Sequence, residues 1–363
     1  MFIGAVHPQA ATAEEGCGGM DGALDIADRR YPRIAFSDSA MVTAALAALT
    51  IAFATISFLI GPANVSAHDL IAGLFGGDNA AGVIAREIRM PRALLALLVG
   101  AALGSSGAAL QGLFRNPLAE PGVTGVTSSA GLGAVIALYF GFAATIPALL
   151  PAFAVAGALV SAAILYLLSR SGAGVVALVL AGVAIASLAT ALTALALSFA
   201  PNPYAMTEMV LWMMGSLKDR TLADVYFAAP LVALGIFILW TARRGIEALT
   251  LGEETAQTLG IDVHDTRRRV VVGVALATGA ATAAAGAVSF VGLVVPHLLR
   301  PFYGHEPARL LIPSALGGGA LVAAADIAVR LLAPYGQLLL GVLTALLGAP
   351  FFIWLILRLR GEE

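Results

Sequence analysis

The residues of this chain best suited to covalent chemistry are the serines of the run Gly104-Ser105-Ser106-Gly107. The run matches the GxSG pattern of intramembrane serine proteases, in which Ser106 would be the nucleophile and His297 would have to serve as its base. The four residues are all small, however, as residues at close contacts between membrane helices usually are. We keep proteolysis as an alternative and expect the serines to pack between helices.

Energy coupling is the second kind of chemistry to consider. The chain has no G-x-x-x-x-G-K-[ST] loop, and its one lysine is Lys218, so it cannot hold ATP in a P-loop of its own. Asp326 lies four residues before Arg330, a spacing that predicts a structural ion pair on one helix face. The sequence shows no series of buried carboxylates or histidines for moving protons. Ion-coupled secondary transport nevertheless stays an alternative.

Composition places these residues in a membrane. The chain of 363 residues is 60% hydrophobic and 12% charged, with a mean hydropathy of +0.92, whereas soluble domains are about 45–50% apolar. We therefore predict an all-α polytopic membrane protein in contact with lipid. The net charge of −2 argues against nucleic acid as a partner. Cys17 is the only cysteine, and no metal site or bound cofactor is predicted.

Apolar segments long enough to be membrane helices recur along the chain. They lie at about 40–60, 91–113, 122–142, 148–168, 174–199, 225–242, 270–287, 288–303, 310–331 and 340–358. We expect ten crossings in one permease domain, residues 39–363, preceded by a disordered cytoplasmic extension, residues 1–38. With both termini inside, fourteen of the twenty Lys and Arg residues fall on the cytoplasmic side, as the positive-inside rule requires.

A polar stretch, Thr250–Asp265, interrupts the apolar pattern on the predicted cytoplasmic side. Thr250 and Glu253 have the spacing of a capping box, Glu254 adds negative charge at the helix start, and Gly260 is suited to end the helix. The sequence predicts a helix of about 13 Å from Leu251 to Leu259, with Leu251, Ala256 and Leu259 near one face. It could dock another protein or lie against its own bundle, and the pattern alone favours neither.

Several longer motifs occur in a fixed order. They are R-M-P-R from Arg89, G-A-A-L-G-S-S-G-A-A-L-Q from Gly100, R-N-P-L-A-E-P-G-V-T-G from Arg115, L-G-E-E-T-A-Q-T-L-G-I from Leu251, G-A-V-S-F-V-G-L-V-V-P-H-L-L-R from Gly286 and G-A-P-F-F-I-W-L from Gly348. In this order the motifs resemble those of the FecCD permeases. These are the membrane subunits of type II ABC importers for iron–siderophores, haem and vitamin B12.

The resemblance implies the fold of the vitamin B12 permease, with about ten transmembrane helices per subunit, in a bacterial inner membrane. It also implies alternating access in a homodimer, or a heterodimer with a close relative. Two separate ATPase subunits would hold ATP and Mg²⁺ and do the hydrolysis, and an external binding protein would deliver the substrate.

Site residues follow from the same resemblance. The coupling helix to the ATPase would be formed by Leu251, Gly252, Glu253, Glu254, Ala256, Leu259 and Gly260. Arg89, Arg92 and Arg330 would face carboxylates of the binding protein. Asn116 and Leu118 would form one cytoplasmic gate, with Val175 and Val176 in the second.

Two departures from the family pattern affect these expectations. Val175 and Val176 replace the small polar residues expected at the second gate, which leaves that gate's assignment open. Gln337–Gly341 lacks the Pro and the acidic residue usual before the last helix.

Overall fold

The structure is a computed structural model that describes residues 36–76, 79–171 and 174–360. Fifteen helices with α-helical turns, three short 3-10 helices and no strand are found in these ranges. They are α1 (Phe36–Leu59), α2 (Ala67–Leu74), α3 (Ala80–Leu113), α4 (Val126–Tyr139), α5 (Phe142–Thr145), α6 (Leu149–Arg170), α7 (Val175–Ser198), α8 (Pro203–Met213), α9 (Leu222–Thr241), α10 (Arg243–Leu249), α11 (Glu253–Thr258), α12 (Val263–Ala285), α13 (Val291–Leu299), α14 (Pro307–Leu332) and α15 (Leu340–Arg360). Within α3, residues Ile84–Arg89 wind as a π-helix.

Each of the ten predicted apolar segments contains one of these helices, so the all-α polytopic fold is confirmed. Seven of the described helices are long and apolar enough to cross a membrane: α1, α3, α6, α7, α9, α12 and α14. Helices α4 and α15 are shorter apolar helices. Helix α1 begins at Phe36, inside the predicted extension, and the rest of that extension, residues 1–35, lies outside the described residues.

The predicted segments 270–287 and 288–303 do divide, at residues 286–290. Gly286 and Phe290, with φ of +71° and +66°, end α12 and begin α13. Helix α13 has only nine residues, about 13 Å, which is too short to cross a bilayer core of about 30 Å. It begins beside α3, where Gly292 lies against Gly107. Helix α13 is therefore a half-length helix that starts inside the bundle.

Helices α3 and α14 pack closely against each other through small residues. A Cβ added at Gly100 would lie 2.0 Å from the carbonyl oxygen of Gly318, and one added at Gly104 would lie 2.0 Å from that of Ser314. Lipid tails supply no hydrophobic force between helices, so close approach of small residues supplies the packing energy instead. The small residues of the α3 motif thus serve as a helix contact.

The bundle has two ends, which the contacts of α3 define. Arg89 and Arg92 lie where α3 returns from the π-helix to an α-helix, and they lie near Arg330 at the end of α14; we name this the arginine end. The opposite end holds α10 and α11, because Gly112 at the end of α3 lies against Ile246 of α10. We name this the α11 end. Helix α1 begins at the α11 end, where Thr43 bonds Tyr303 at 2.7 Å.

Candidate functional site

The predicted docking helix exists but is shorter than expected. Helix α11 spans Glu253–Thr258, and its N-cap is Gly252, at φ +105°, with no capping side chain. The predicted capping box is wrong. The Thr250 hydroxyl donates instead to the Glu247 carbonyl at 2.6 Å, and the Glu253 carboxylate pairs with Arg267. Because Arg267 is only 6% exposed, it needs a counter-charge, and this tertiary demand takes Glu253 away from the cap.

The surface of α11 has one anchored position and two exposed leucines. Ala256 is fully buried, whereas Leu251 is 63% exposed and Leu259 62% exposed. The three residues predicted to share one helix face are therefore in two environments. Ala256 packs against the bundle, whereas Leu251 and Leu259 lie on the surface on either side of it. Glu254 is exposed, and Gly260 ends the segment at φ +79°, as predicted. Two exposed leucines beside a short helix form a surface suited to a protein partner.

At the arginine end, Asp326 holds two of the three predicted docking arginines. Arg92 donates from Nε to both carboxylate oxygens at 3.0 Å and from Nη2 to Oδ1 at 2.8 Å. Arg330 lies 2.9 Å from Oδ2, which confirms the predicted ion pair. Asp326 is fully buried, and it links α14 to α3 as well as bridging one turn of α14. Burial with two guanidinium partners satisfies the charge of this carboxylate.

Arg89 and Arg330 also cap the end of α1. Arg89 is 3% exposed and donates to the carbonyls of Leu59 and, at 2.7 Å, Ala63. Arg330 donates to the carbonyls of Ser57 at 2.7 Å and Ile60 at 2.8 Å. Cationic side chains suit these positions, because the last carbonyls of a helix lack partners within the helix and carry partial negative charge. All three arginines thus have hydrogen-bond acceptors in their own chain, and their contact with a binding protein stays a prediction.

The first predicted gate lies on the connection between α3 and α4. Asn116 is exposed, and its Oδ1 accepts a hydrogen bond from the Leu118 N–H at 2.9 Å, which makes a compact turn. Leu118 is half-buried. Val175 and Val176, predicted for the second gate, begin α7; Val175 packs against the core and Val176 is exposed. No hydrogen bond among the described residues joins the two gates.

A polar link beside the first gate was missed by sequence reasoning. Arg300, just after α13, donates to Gln111 Oε1 at 2.8 Å, and Gln111 Nε2 donates to the Gly292 carbonyl at 3.4 Å. Gln111 is buried, and burial lowers the pKa of Arg300. Each of the two residues is the last one of a motif quoted above. A polar residue at the end of an apolar run was therefore the feature of the sequence that could have indicated them. Their pairing across 189 positions required the fold.

Glu120 was also missed. It lies on the connection between α3 and α4, where its carboxylate faces the backbone N–H of Phe290 at the start of α13. Burial raises the pKa of Glu120, and this N–H opposes the rise only in part. The neighbouring Pro121 lies against Gly292. The gate connection and α13 are therefore held together by adjacent contacts.

Two of the cavities that open on the described residues bear on the function. One, of about 530 Å³, lies between the ends of α8, α12 and α15 and is lined by residues that include Met213, Ala287, Ser289 and Val342. The other, of about 520 Å³, runs along α7 and includes Gly122, Val183, Ser187 and Thr190. Helix α7 is strongly apolar, yet most of its surface is exposed in the single chain. An apolar helix of this kind needs lipid or a second protein surface around it.

The candidate protease serines are closed off. Ser105 donates to the Ala101 carbonyl at 2.7 Å, and Ser106 is fully buried. Gly107, next to them, is pressed against Gly292. A nucleophile must reach its substrate and lie within hydrogen-bond distance of its base. The run therefore acts in helix packing, as expected.

The comparisons with known proteins decide the identity of the fold. The sequence model of the FecCD transport family matches residues 49–358. The chain belongs to the FecCD transport family. It is therefore a membrane-spanning transport permease, and the resemblance predicted from its motifs is confirmed.

The curated relatives of this chain include permease proteins named for hemin, for vitamin B12 and for ferric dicitrate. The chain is 39% identical over 285 residues to the hemin transport system permease protein of Yersinia pestis, covering 76% of this chain and 84% of that one. It is 41% identical over 275 residues to the vitamin B12 import system permease protein of Vibrio cholerae, covering 75% and 82%. It is 40% identical over 276 residues to the Fe(3+) dicitrate transport system permease protein of Escherichia coli K12, covering 76% and 85%.

A solved structure is similar in fold to most of the chain. It is described as an inward-facing conformation of a metal-chelate type ABC transporter. The TM-score is 0.78 at 29% sequence identity, and the match covers 88% of this chain and 99% of the other. The fold described above is therefore similar to that of a solved ABC transporter over most of its length.

Proposed function

We propose that this chain is the permease subunit of an ABC importer that moves an iron complex, ferric siderophore or haem, or cobalamin into the cytoplasm. The family membership supports this proposal, since the relatives named above are permeases for hemin, vitamin B12 and ferric dicitrate. The observation that carries it is the pair of exposed leucines that flank α11, at the end of a bundle otherwise adapted to lipid. A soluble partner that docks there would bury apolar surface.

The α11 end is assigned to the cytoplasm. It carries the arginines at the start of α10 and in the second turn of α12, and positive charge is retained on the cytoplasmic side. Both termini and α11 would then face the cytoplasm of a bacterium, with the chain in the inner membrane. Two ATPase subunits would bind ATP and Mg²⁺ and dock on α11 and its counterpart. The chain itself would hold no cofactor.

The arginine end would face the soluble binding protein. Because Arg89, Arg92 and Arg330 are engaged with α1 and Asp326, they support the docking surface by fixing the ends of α1, α3 and α14. Direct contact with carboxylates would be left mainly to Arg92, the most exposed of the three side chains in this cluster.

The translocation pathway would form between two copies of the chain. Helix α7 supplies a long apolar wall and the cavity of about 520 Å³ beside it, so a second copy placed against α7 would enclose a central space. A weakly polar wall suits alternating access, because a cargo delivered by a binding protein must also leave the pathway. Asn116, Leu118, Val175 and Val176 would close this space on the cytoplasmic side.

Reconstitution into liposomes tests the proposal. The chain, its ATPase and its binding protein are incorporated together and supplied with haemin, cyanocobalamin or ferric citrate. We expect ATP-dependent uptake of one of these compounds and none without the ATPase. Uptake by the chain alone in response to a proton gradient would establish secondary transport instead.

A further inference from the structure

Arg267 joins two helices through a buried ion pair. It lies in the second turn of α12, is 6% exposed, and donates to the carboxylate of Glu253 at the start of α11. Glu253 is half-exposed, so the pair lies at the boundary between the bundle and the α11 surface. A buried guanidinium with a charged partner is geometrically well defined, and it is costly to separate from that partner.

The neighbouring arginines behave differently. Arg268 and Arg269 both pair with Asp265, three or four positions away on the same helix, and both are exposed. Such pairs hold no second element in place and contribute little to stability. Among the described residues, Glu253–Arg267 is thus the ion pair that connects α11 with α12.

Helix α12 is continuous from the α11 end of the bundle to the opposite end. It is helical without interruption from Val263 to Ala285, contains no proline, and is largely buried against α3, α6 and α9. From Arg267 to Ala285 it extends about 27 Å at 1.5 Å per residue, close to the thickness of the bilayer core of about 30 Å. A displacement at Arg267 therefore has a continuous path to the opposite end.

The far end of α12 is tied to two other helices by backbone contacts. Ser216, after α8, donates to the Ala285 carbonyl at 2.7 Å. The Ala287 carbonyl oxygen would lie 2.4 Å from a Cβ at Gly215 and 2.2 Å from a Cβ at Gly341, the second residue of α15. These segments surround the cavity of about 530 Å³ at the arginine end. The end of α12 is thus part of that cavity's wall.

We propose that Arg267 is a positioning residue that passes displacement of α11, through Glu253 and along α12, to the wall of the cavity at the arginine end. The proposal rests on the function proposed above, in which α11 receives the ATPase. In this proposal the unit formed by α11 and α12 has two positions relative to the rest of the bundle. Docking of the ATPase at one end and occupancy of the cavity at the other end shift the equilibrium between these positions.

The test compares Arg267→Met with Arg268→Met in the complete complex. Methionine keeps much of the aliphatic stem and removes the ion pair, and the second variant removes a neighbouring arginine whose pair stays within α12. The substrate is whichever of haemin, cyanocobalamin and ferric citrate the wild-type complex imports. For Arg267→Met we expect ATP hydrolysed per molecule imported to rise roughly 2- to 30-fold, with ATPase still bound to the chain. For Arg268→Met the ratio should match the wild type.

A charge exchange protects the test against a folding defect. Glu253→Arg combined with Arg267→Glu should bring the ratio back toward the wild type if the contact itself matters. An unchanged ratio in Arg267→Met, or loss of ATPase binding together with the loss of transport, would overturn the proposal, since Arg267 would then only shape the docking surface. Absence of ATP-driven import by the wild-type complex would instead refute the proposed function.

Discussion

Arg92 and Asp326 are joined by three hydrogen bonds of 2.8–3.0 Å across 234 positions of the chain. The same carboxylate also receives Arg330. One carboxylate thus pairs with two guanidinium groups where α3 and α14 meet. Arg330, one of its partners, also caps the end of α1.

Replacement of Asp326 by Asn should destabilise the isolated subunit by about 3–5 kcal/mol, the cost of leaving buried charges without their partner. Thermal unfolding in detergent, followed by loss of the monodisperse peak, measures the effect. Asp265→Asn is the control, because its partners Arg268 and Arg269 are exposed. Equal shifts in the two variants would mean that the Asp326 cluster contributes no more than surface pairs do.

Arg89→Met should lower the unfolding temperature of the subunit in the absence of any binding protein. The variant loses the donors to Leu59 and Ala63, and hydrogen bonds to charged groups contribute about 1.5–3 kcal/mol each. Arg170→Met, at an exposed position in the last turn of α6, is the control. An unchanged unfolding temperature combined with weaker binding-protein affinity would show that Arg89 acts in docking alone.

Gly100→Ala should destabilise the contact between α3 and α14 by about 1–3 kcal/mol, because the added Cβ would overlap the Gly318 carbonyl and force the helices apart. Gly131→Ala in α4 provides a matched control. A Cβ there meets no heavy atom within 4 Å. Gly131→Ala should therefore stabilise the subunit by about 0.5–1 kcal/mol, because alanine favours the helix more than glycine does. Opposite signs in the unfolding temperatures of the two variants are expected.

Leu251→Ala and Leu259→Ala should each reduce the amount of ATPase that co-purifies with the chain, because each removes exposed apolar surface from the proposed docking site. Leu167→Ala on α6 is the control, since Leu167 is 63% exposed, as Leu251 is. Co-purification and ATPase stimulation are measured together. The docking assignment is wrong if all three variants retain the partner equally.

Glu120→Gln should stabilise the subunit at neutral pH but not at pH 4. Burial raises the pKa of Glu120 in the folded protein, so the folded state favours the neutral carboxyl. In the wild type, the contribution of the Glu120 carboxyl to the free energy of unfolding is at its maximum below about pH 4.3. This contribution decreases as the pH rises through the pKa of Glu120 in the folded protein. The amide stays neutral, and its oxygen can still face the Phe290 N–H. Unfolding temperatures between pH 4 and 8 measure the difference, with Glu254→Gln at an exposed position as control.

Sequence reasoning succeeded where the determining contacts are local. The helical segments follow from apolar length, the Asp326–Arg330 pair from a four-residue spacing, and the end of the α11 segment from Gly260. It failed at Thr250 and Glu253, where a perfectly spaced capping box is broken by Arg267, fourteen residues away. A local pattern cannot report that a distant buried cation needs its carboxylate.

The arginine end shows the same limit of local sequence patterns, because the partners of its arginines are distant in the sequence. Sequence placed Arg89, Arg92 and Arg330 together outside the membrane, and the structure brings them to one end of the bundle. Their acceptors were unforeseen, because Phe58–Ala63 is 26 to 31 positions from Arg89 and Asp326 is 234 positions from Arg92. Likewise, Gln111 and Arg300 were each visible as polar ends of apolar runs, but only packing of α13 on α3 pairs them.

The contact of Ala287 with Gly215 and Gly341 has a consequence for how such a permease can diversify. Main chain meets main chain there, so the junction of the segments after α8 and α12 with α15 is formed without side chains. Met213, Val342 and Leu346 line the adjoining cavity without taking part in that junction. The residues that line this cavity can therefore be exchanged one by one while the main-chain junction beside it keeps the same dimensions.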